Sequence, residues 1–123
     1  MNHYSTFLVF VGLALLSFFY CRNSAIGMLK IGINQRYYPK HYIAPHRWMK
    51  KLYKFKESSI PKYLFVEFYM AIIFAVLGPI NFLVFLFANS NNTTAGILIM
   101  IHSCLIILNS VFFILFSYMF KKK

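Results

Sequence analysis

QRYYPKHYIAPHRWMKKLYKFK, residues 35–56, sets seven cations among six aromatic rings, and apolar runs flank it on both sides. With Arg22, Lys30 and Lys62 it places ten of the thirteen Lys and Arg residues between positions 22 and 62, and the other three are the terminal Lys121, Lys122 and Lys123. The chain as a whole is 60% hydrophobic, and outside that stretch its apolar residues gather into runs of 18 or more. A helix of that length, rising about 1.5 Å per residue, crosses the roughly 30 Å hydrocarbon layer of a bilayer. The pattern predicts an all-α polytopic membrane protein of 123 residues forming one membrane domain. It has three transmembrane helices and a short interfacial amphipathic helix in the basic loop between the first and second spans.

A formal charge of +11 in a soluble protein would point to nucleic acid. Here the cations lie beside apolar spans, where anionic lipid headgroups are the nearer counter-charge, and nucleic acid is not expected as a partner. The two cysteines, Cys21 and Cys104, make neither a disulfide framework nor a metal spacing. His41 and His46 stand five apart with no Cys or Asp nearby, so no metal is expected. The only acids are Glu57 and Glu67, which removes a carboxylate pair for hydrolysis, and no phosphate-binding glycine loop or Cys-x-x-Cys occurs. Neither an enzyme nor a cofactor is expected.

In chain order, the first span is expected over about residues 4–21, with Tyr4 and Tyr20 at the interfaces and an apolar continuation beyond Arg22 able to prolong the helix. No Lys or Arg precedes it, unlike a secretory signal peptide, so it reads as a retained helix. Cys21 at its inner boundary is a possible palmitoylation position. From Pro45 onward Trp48, Leu52 and Phe55 recur at i, i+4 and i+7 against Arg47, Lys50, Lys51 and Lys54. That spacing predicts a cationic helix lying on the headgroups with those three side chains down. The residues expected to meet headgroups are Arg36, Lys40, Arg47, Trp48, Lys50, Lys51, Lys54 and Lys56. The second span is expected over about 63–88, capped by Ser58 or Ser59 and kinked before Pro79. A polar outer turn follows over 89–95, then a third span over about 96–120. Basic residues on one side only, with none in the tail or the 89–95 turn, place the N-terminus outside and the loop and C-terminus on the cytosolic or matrix side.

Polar groups inside spans face protein or water, because hydrocarbon offers them no partner. In the second span Glu67, Ala71, Gly78 and Asn81 form one stripe; in the third, Gly96, Ser103, Ser110 and Ser117 repeat every seven residues, with His102 and Asn109 beside them. These stripes predict an antiparallel hairpin in which Glu67 is level with Ser117 and Asn81 with His102. Asn109 is then expected near the midplane, beside carbonyls freed by Pro79. The expected function is that of a small non-enzymatic membrane protein working through helix–helix contacts, as an accessory or regulatory subunit or as a homo-oligomer. An oligomeric ion or proton conductor lined by Glu67, Asn81, His102 and Asn109 is the alternative. Binding of anionic lipid or an acidic partner by the basic loop is the third.

Overall fold

The computed structural model describes residues 3–30 and 39–119. In order these form α1 (His3–Lys30), a 3-10 turn (Pro39–His41), β1 (Tyr42–Ile43), α2 (Arg47–Tyr53), β2 (Ile60–Pro61), α3 (Lys62–Phe87) and α4 (Asn92–Met119). α1, α3 and α4 are each long and apolar enough to cross a membrane. At 28, 26 and 28 residues they measure about 39–42 Å, enough for the hydrocarbon layer and part of each headgroup layer.

Small side chains decide how these helices associate. α1 buries Thr6, Phe10, Ala14, Ser17, Cys21, Ala25 and Leu29, spaced three or four apart along one face. α3 answers with Leu64, Glu67, Ala71, Phe74, Gly78 and Asn81, and the antiparallel α1–α3 contact is the most extensive in the molecule. At Gly78 the two backbones come so close that an added Cβ would sit 2.6 Å from Ala14 Cβ and 2.9 Å from the Phe10 carbonyl oxygen. The stripe expected to join the second and third spans therefore serves mainly α1. The expectation overlooked that Ala14, Ser17, Cys21 and Ala25 make an equally small face on the first helix.

α1 runs on past Cys21, as the apolar continuation allowed: Ala25 and Leu29 prolong its buried face, while Arg22 and Asn23 bond to one another at the surface, 3.0 Å apart. A further boundary differs from expectation. α4 begins at Asn92 rather than near Gly96, because the Asn91 side chain accepts a hydrogen bond from the Thr93 N–H at 2.7 Å. The connection is thus a tight turn with Asn89 and Ser90 both at positive φ, 59° and 57°. α3 continues unbroken through Pro79, whose ring is exposed.

The basic loop is folded onto the bundle. β1 pairs with β2, Tyr42 opposite Pro61 and Ile43 opposite Ile60, which closes residues 42–61 into one unit ending at the start of α3. Pro61, extended at φ −56° and ψ 141°, is the residue before α3, so neither Ser58 nor Ser59 caps that helix. Within the unit α2 buries Met49 and Tyr53 against Ala25, Leu64 and Phe68. Lys54 then reverses the chain in the left-handed region, φ 57°, and Phe55 turns back to stack on Phe68 at 5.2 Å. The face expected to be Trp48, Leu52 and Phe55 is therefore split: Trp48 and Leu52 point outward, and Phe55 packs inward. Helix periodicity alone could not choose between them, because Met49 and Tyr53 form a second apolar pair at i, i+4.

Candidate functional site

Three spans bring polar side chains together on an interior seam. At the level nearer the basic loop, the inner one of the bundle in the expected orientation, Asn109 of α4 reaches both partners: its Nδ2 donates to Glu67 Oε1 of α3 at 2.7 Å and lies 3.4 Å from Cys21 Sγ of α1. The Cys21 thiol lies beside the Glu67 carboxyl group. Glu67 is 3% exposed and Cys21 fully buried, so lipid reaches neither. One level further out, His102 of α4 is 1% exposed, packs on the Phe74 ring at 5.5 Å and places Nε2 3.1 Å from Ser17 Oγ of α1. Ser17 Oγ lies 2.9 Å from the carbonyl oxygens of Leu13 and Ala14. Its single proton is used there, so its lone pair accepts the His102 Nε2–H. That tautomer leaves Nδ1 as a bare acceptor, and Nδ1 is buried without a hydrogen-bond partner among the described residues.

The pairing of levels is shifted from the expected one. Glu67 meets Asn109 instead of Ser117, and His102 lies beside Phe74 instead of Asn81. Starting α4 one turn earlier, on the Asn91 cap, accounts for about half of a displacement of some two helical turns. Asn109 consequently lies twelve residues along from the level of Pro79, about 18 Å, and satisfies a carboxyl group rather than freed carbonyls. Asn81 is buried near the outer end of the α1–α3 interface at 8% exposure.

The small residues of α4 divide. Ser110 Oγ lies 2.9 Å from the Tyr20 hydroxyl of α1 and 3.0 Å from the Ile106 carbonyl oxygen. Ser103 is half-buried, and Ser117 donates to the Ile114 carbonyl at 2.7 Å. Gly78 belongs to the α1 contact and Pro79 to the outer surface. Cys21, which supplies one corner of the inner cluster, was not among the residues expected there; its burial also removes it from any acyl transfer at the surface. Its signal was the spacing Ala14, Ser17, Cys21, Ala25.

Of the residues expected to meet headgroups, Lys40, Arg47, Trp48, Lys51, Lys54 and Lys56 are exposed and Lys50 is half-buried; Arg36 lies outside the described residues. Trp48 stands edge-on to Tyr69 of α3 at 5.6 Å and stacks with His46 at 5.9 Å, which pins the start of α2 against the flank of α3. The Tyr53 hydroxyl donates to the Phe68 carbonyl oxygen at 2.7 Å. Burial pushes the Tyr53 phenol well above its ordinary value, so it remains a donor across the physiological range.

The inner cluster holds only two groups of metal-ligating type, Cys21 and Glu67, and no set of three His, Cys, Asp or Glu comes together among the described residues. The Asn109 amide joins a thiol of α1 and a carboxyl group of α3 in one set of contacts. Chemically the arrangement ties three helices together. No protein-family model, curated protein or solved structure matches this chain.

Proposed function

We propose that the chain is an integral membrane protein that acts through helix–helix contacts, as an accessory or regulatory subunit presenting α4 to a helix of another membrane protein. The observation that carries this reading is how little of α4 its own bundle covers. Along its whole length only Ala95 and His102 are buried. On the opposite side Met100, Cys104, Ile107, Val111, Ile114 and Tyr118 follow at alternating spacings of four and three, all exposed. That is the seam along which two helices coil around one another, and Ser103, Ser110 and Ser117 run beside it where close approach needs small residues. The buried polar groups support the same reading over conduction. Glu67, Asn81 and His102 face their own bundle, and the Phe10, Ala14, Phe74 and Gly78 layer separates Asn81 from the Ser17–His102 level. The folded loop, with Arg47, Lys51 and Lys54 outward, supports placing the loop end on the cytosolic or matrix side against anionic lipid.

The test is the native mass of the full chain extracted into nanodiscs. A complex heavier than one chain is expected, and Ile107→Asn or Val111→Asn on the seam should disperse it. A strict monomer with no accompanying protein overturns the reading. Membrane-impermeant thiol labelling from outside should modify Ser90→Cys and spare Lys54→Cys; the opposite result reverses the orientation.

A further inference from the structure

We infer that the outward side of α2 binds the phosphates of anionic phospholipids, with Arg47, Lys51 and Lys54 as a cationic strip and Trp48 and Leu52 set into the acyl chains beside it. Met49 and Tyr53, buried against the bundle, fix the back of the helix. At about 100° per residue, Arg47 and Lys51 fall about 160° from that pair, and Lys54 continues their line past the helix end. Trp48 and Leu52 lie between, about 100° from each. All five are exposed, so the outward side carries two adjoining strips, one cationic and one apolar.

The position of α2 along the bundle decides what meets those strips. His46, its N-cap, lies 5.5 Å from Phe65; the Tyr53 hydroxyl bonds to the Phe68 carbonyl; and Trp48 stands edge-on to Tyr69. α2 therefore docks on the first two turns of α3. With 26 residues α3 is about 39 Å long, about 9 Å more than the hydrocarbon layer, so in a centred helix hydrocarbon begins about three residues in, near Phe65. Arg22 of α1 is at the same depth, next to Cys21 and level with Glu67. α2 thus straddles the boundary between acyl chains and headgroups. Trp48 meets Tyr69, the deepest of its three contacts on α3, so the apolar strip faces the acyl chains and the cationic strip the phosphates.

Charge complementarity selects the occupant. From Pro39 to Lys62 seven Lys and Arg residues stand against one acid, Glu57, whose carboxylate accepts the Lys56 backbone N–H at 3.1 Å. α2 itself contains no acid. A soluble acidic protein would cover the cations alone, whereas an anionic leaflet meets both strips at once. Each cation held at such a surface is worth about fivefold in affinity.

This inference rests on the helices crossing a bilayer and is independent of any partner on α4. Trp48 is the only tryptophan, so its fluorescence reads lipid at this site alone. The full chain is reconstituted into vesicles of equal phosphatidylglycerol and phosphatidylcholine, with bromine carried on the acyl chains of one lipid or the other. Brominated phosphatidylglycerol should quench Trp48 more than brominated phosphatidylcholine does. Arg47→Gln or Lys51→Gln should lower that preference up to about fivefold, and both are exposed positions that leave the Met49 and Tyr53 packing in place. Lys30→Gln removes the same charge from the exposed end of α1, five residues and about 7.5 Å beyond Ala25, and should leave the preference nearly unchanged. Equal quenching by the two lipids in the parent protein, or equal losses on Lys30→Gln and Lys51→Gln, overturns the inference. So does an acidic protein that co-purifies with the parent chain and is released by Lys51→Gln while the two lipids quench alike. Trp48 quenched by neither lipid overturns the membrane reading as well, whereas equal quenching by both leaves that reading standing and fails only this one.

Discussion

Replacing Gly78 with alanine tests the α1–α3 contact directly. In an exposed helix interior that change is stabilising by about 1 kcal/mol, because glycine gives up more backbone freedom than alanine. Here the new Cβ would lie 2.6 Å from Ala14 Cβ and 2.9 Å from the Phe10 carbonyl oxygen. Ordinary carbon–carbon contact begins near 3.5 Å, so the helices must separate by close to 1 Å or slide. Half of the obstruction is main chain, which has no rotamer in which to escape. Overpacking of this kind costs about 1–3 kcal/mol, so after the propensity gain the net loss is up to about 2 kcal/mol, and relative to a glycine where the added Cβ is free the full 1–3 kcal/mol separates the two variants. The separation would also stretch the Cys21–Glu67 contact, which lies on the same interface. Reversible unfolding in mixed micelles measures the loss, with Gly12→Ala and Gly27→Ala as internal controls, since a Cβ at either meets nothing within 4 Å. Gly12→Ala should leave stability unchanged or raise it. Adding Ala14→Gly to Gly78→Ala should recover part of the loss, the Phe10 carbonyl contact accounting for the rest. A Gly78→Ala protein as stable as Gly12→Ala refutes close backbone approach as the organising contact.

Three further outcomes follow from named contacts. Asn109→Leu should cost about 1–3 kcal/mol by stranding the buried Glu67 carboxyl group, whereas Glu67→Gln, whose amide oxygen still accepts from Asn109 Nδ2, should cost under about 1 kcal/mol; equal losses in the same unfolding assay would contradict the assigned bond. Tyr53→Phe should lose about 0.5–1.5 kcal/mol with the 2.7 Å bond to the Phe68 carbonyl, and protease should cut the 42–61 unit faster; unchanged cutting counts against that unit being docked. Lys54→Gly should raise stability by about 0.5–1 kcal/mol because it relieves the residue of its positive φ, and a destabilised variant would show that α2 does not end there.

What the sequence determined by itself is the solvent. Runs of 18 or more apolar residues between cationic blocks leave the backbone no way to satisfy its hydrogen bonds in hydrocarbon except as helix, so three long helices and a basic loop were legible without coordinates. Glu67, His102 and Asn109 were legible as inward-facing for the same reason. Their partners were not. Hydropathy is nearly uniform around α3 and α4, so periodicity cannot say which neighbour a stripe meets, and the 2.7 Å bond of Glu67 to Asn109 depended on a side-chain cap at Asn91 that moved the start of α4 by one turn. Cys21 and Ser17 entered the polar seam because Gly78 lets α1 come close, and α2 chose Met49 and Tyr53 over Trp48 and Leu52 because protein, not only lipid, was there to receive them. In a membrane, burial of apolar surface cannot rank these alternatives, since lipid covers every face equally well; close packing and hydrogen bonds between particular helices rank them, and those exist only once the helices have met.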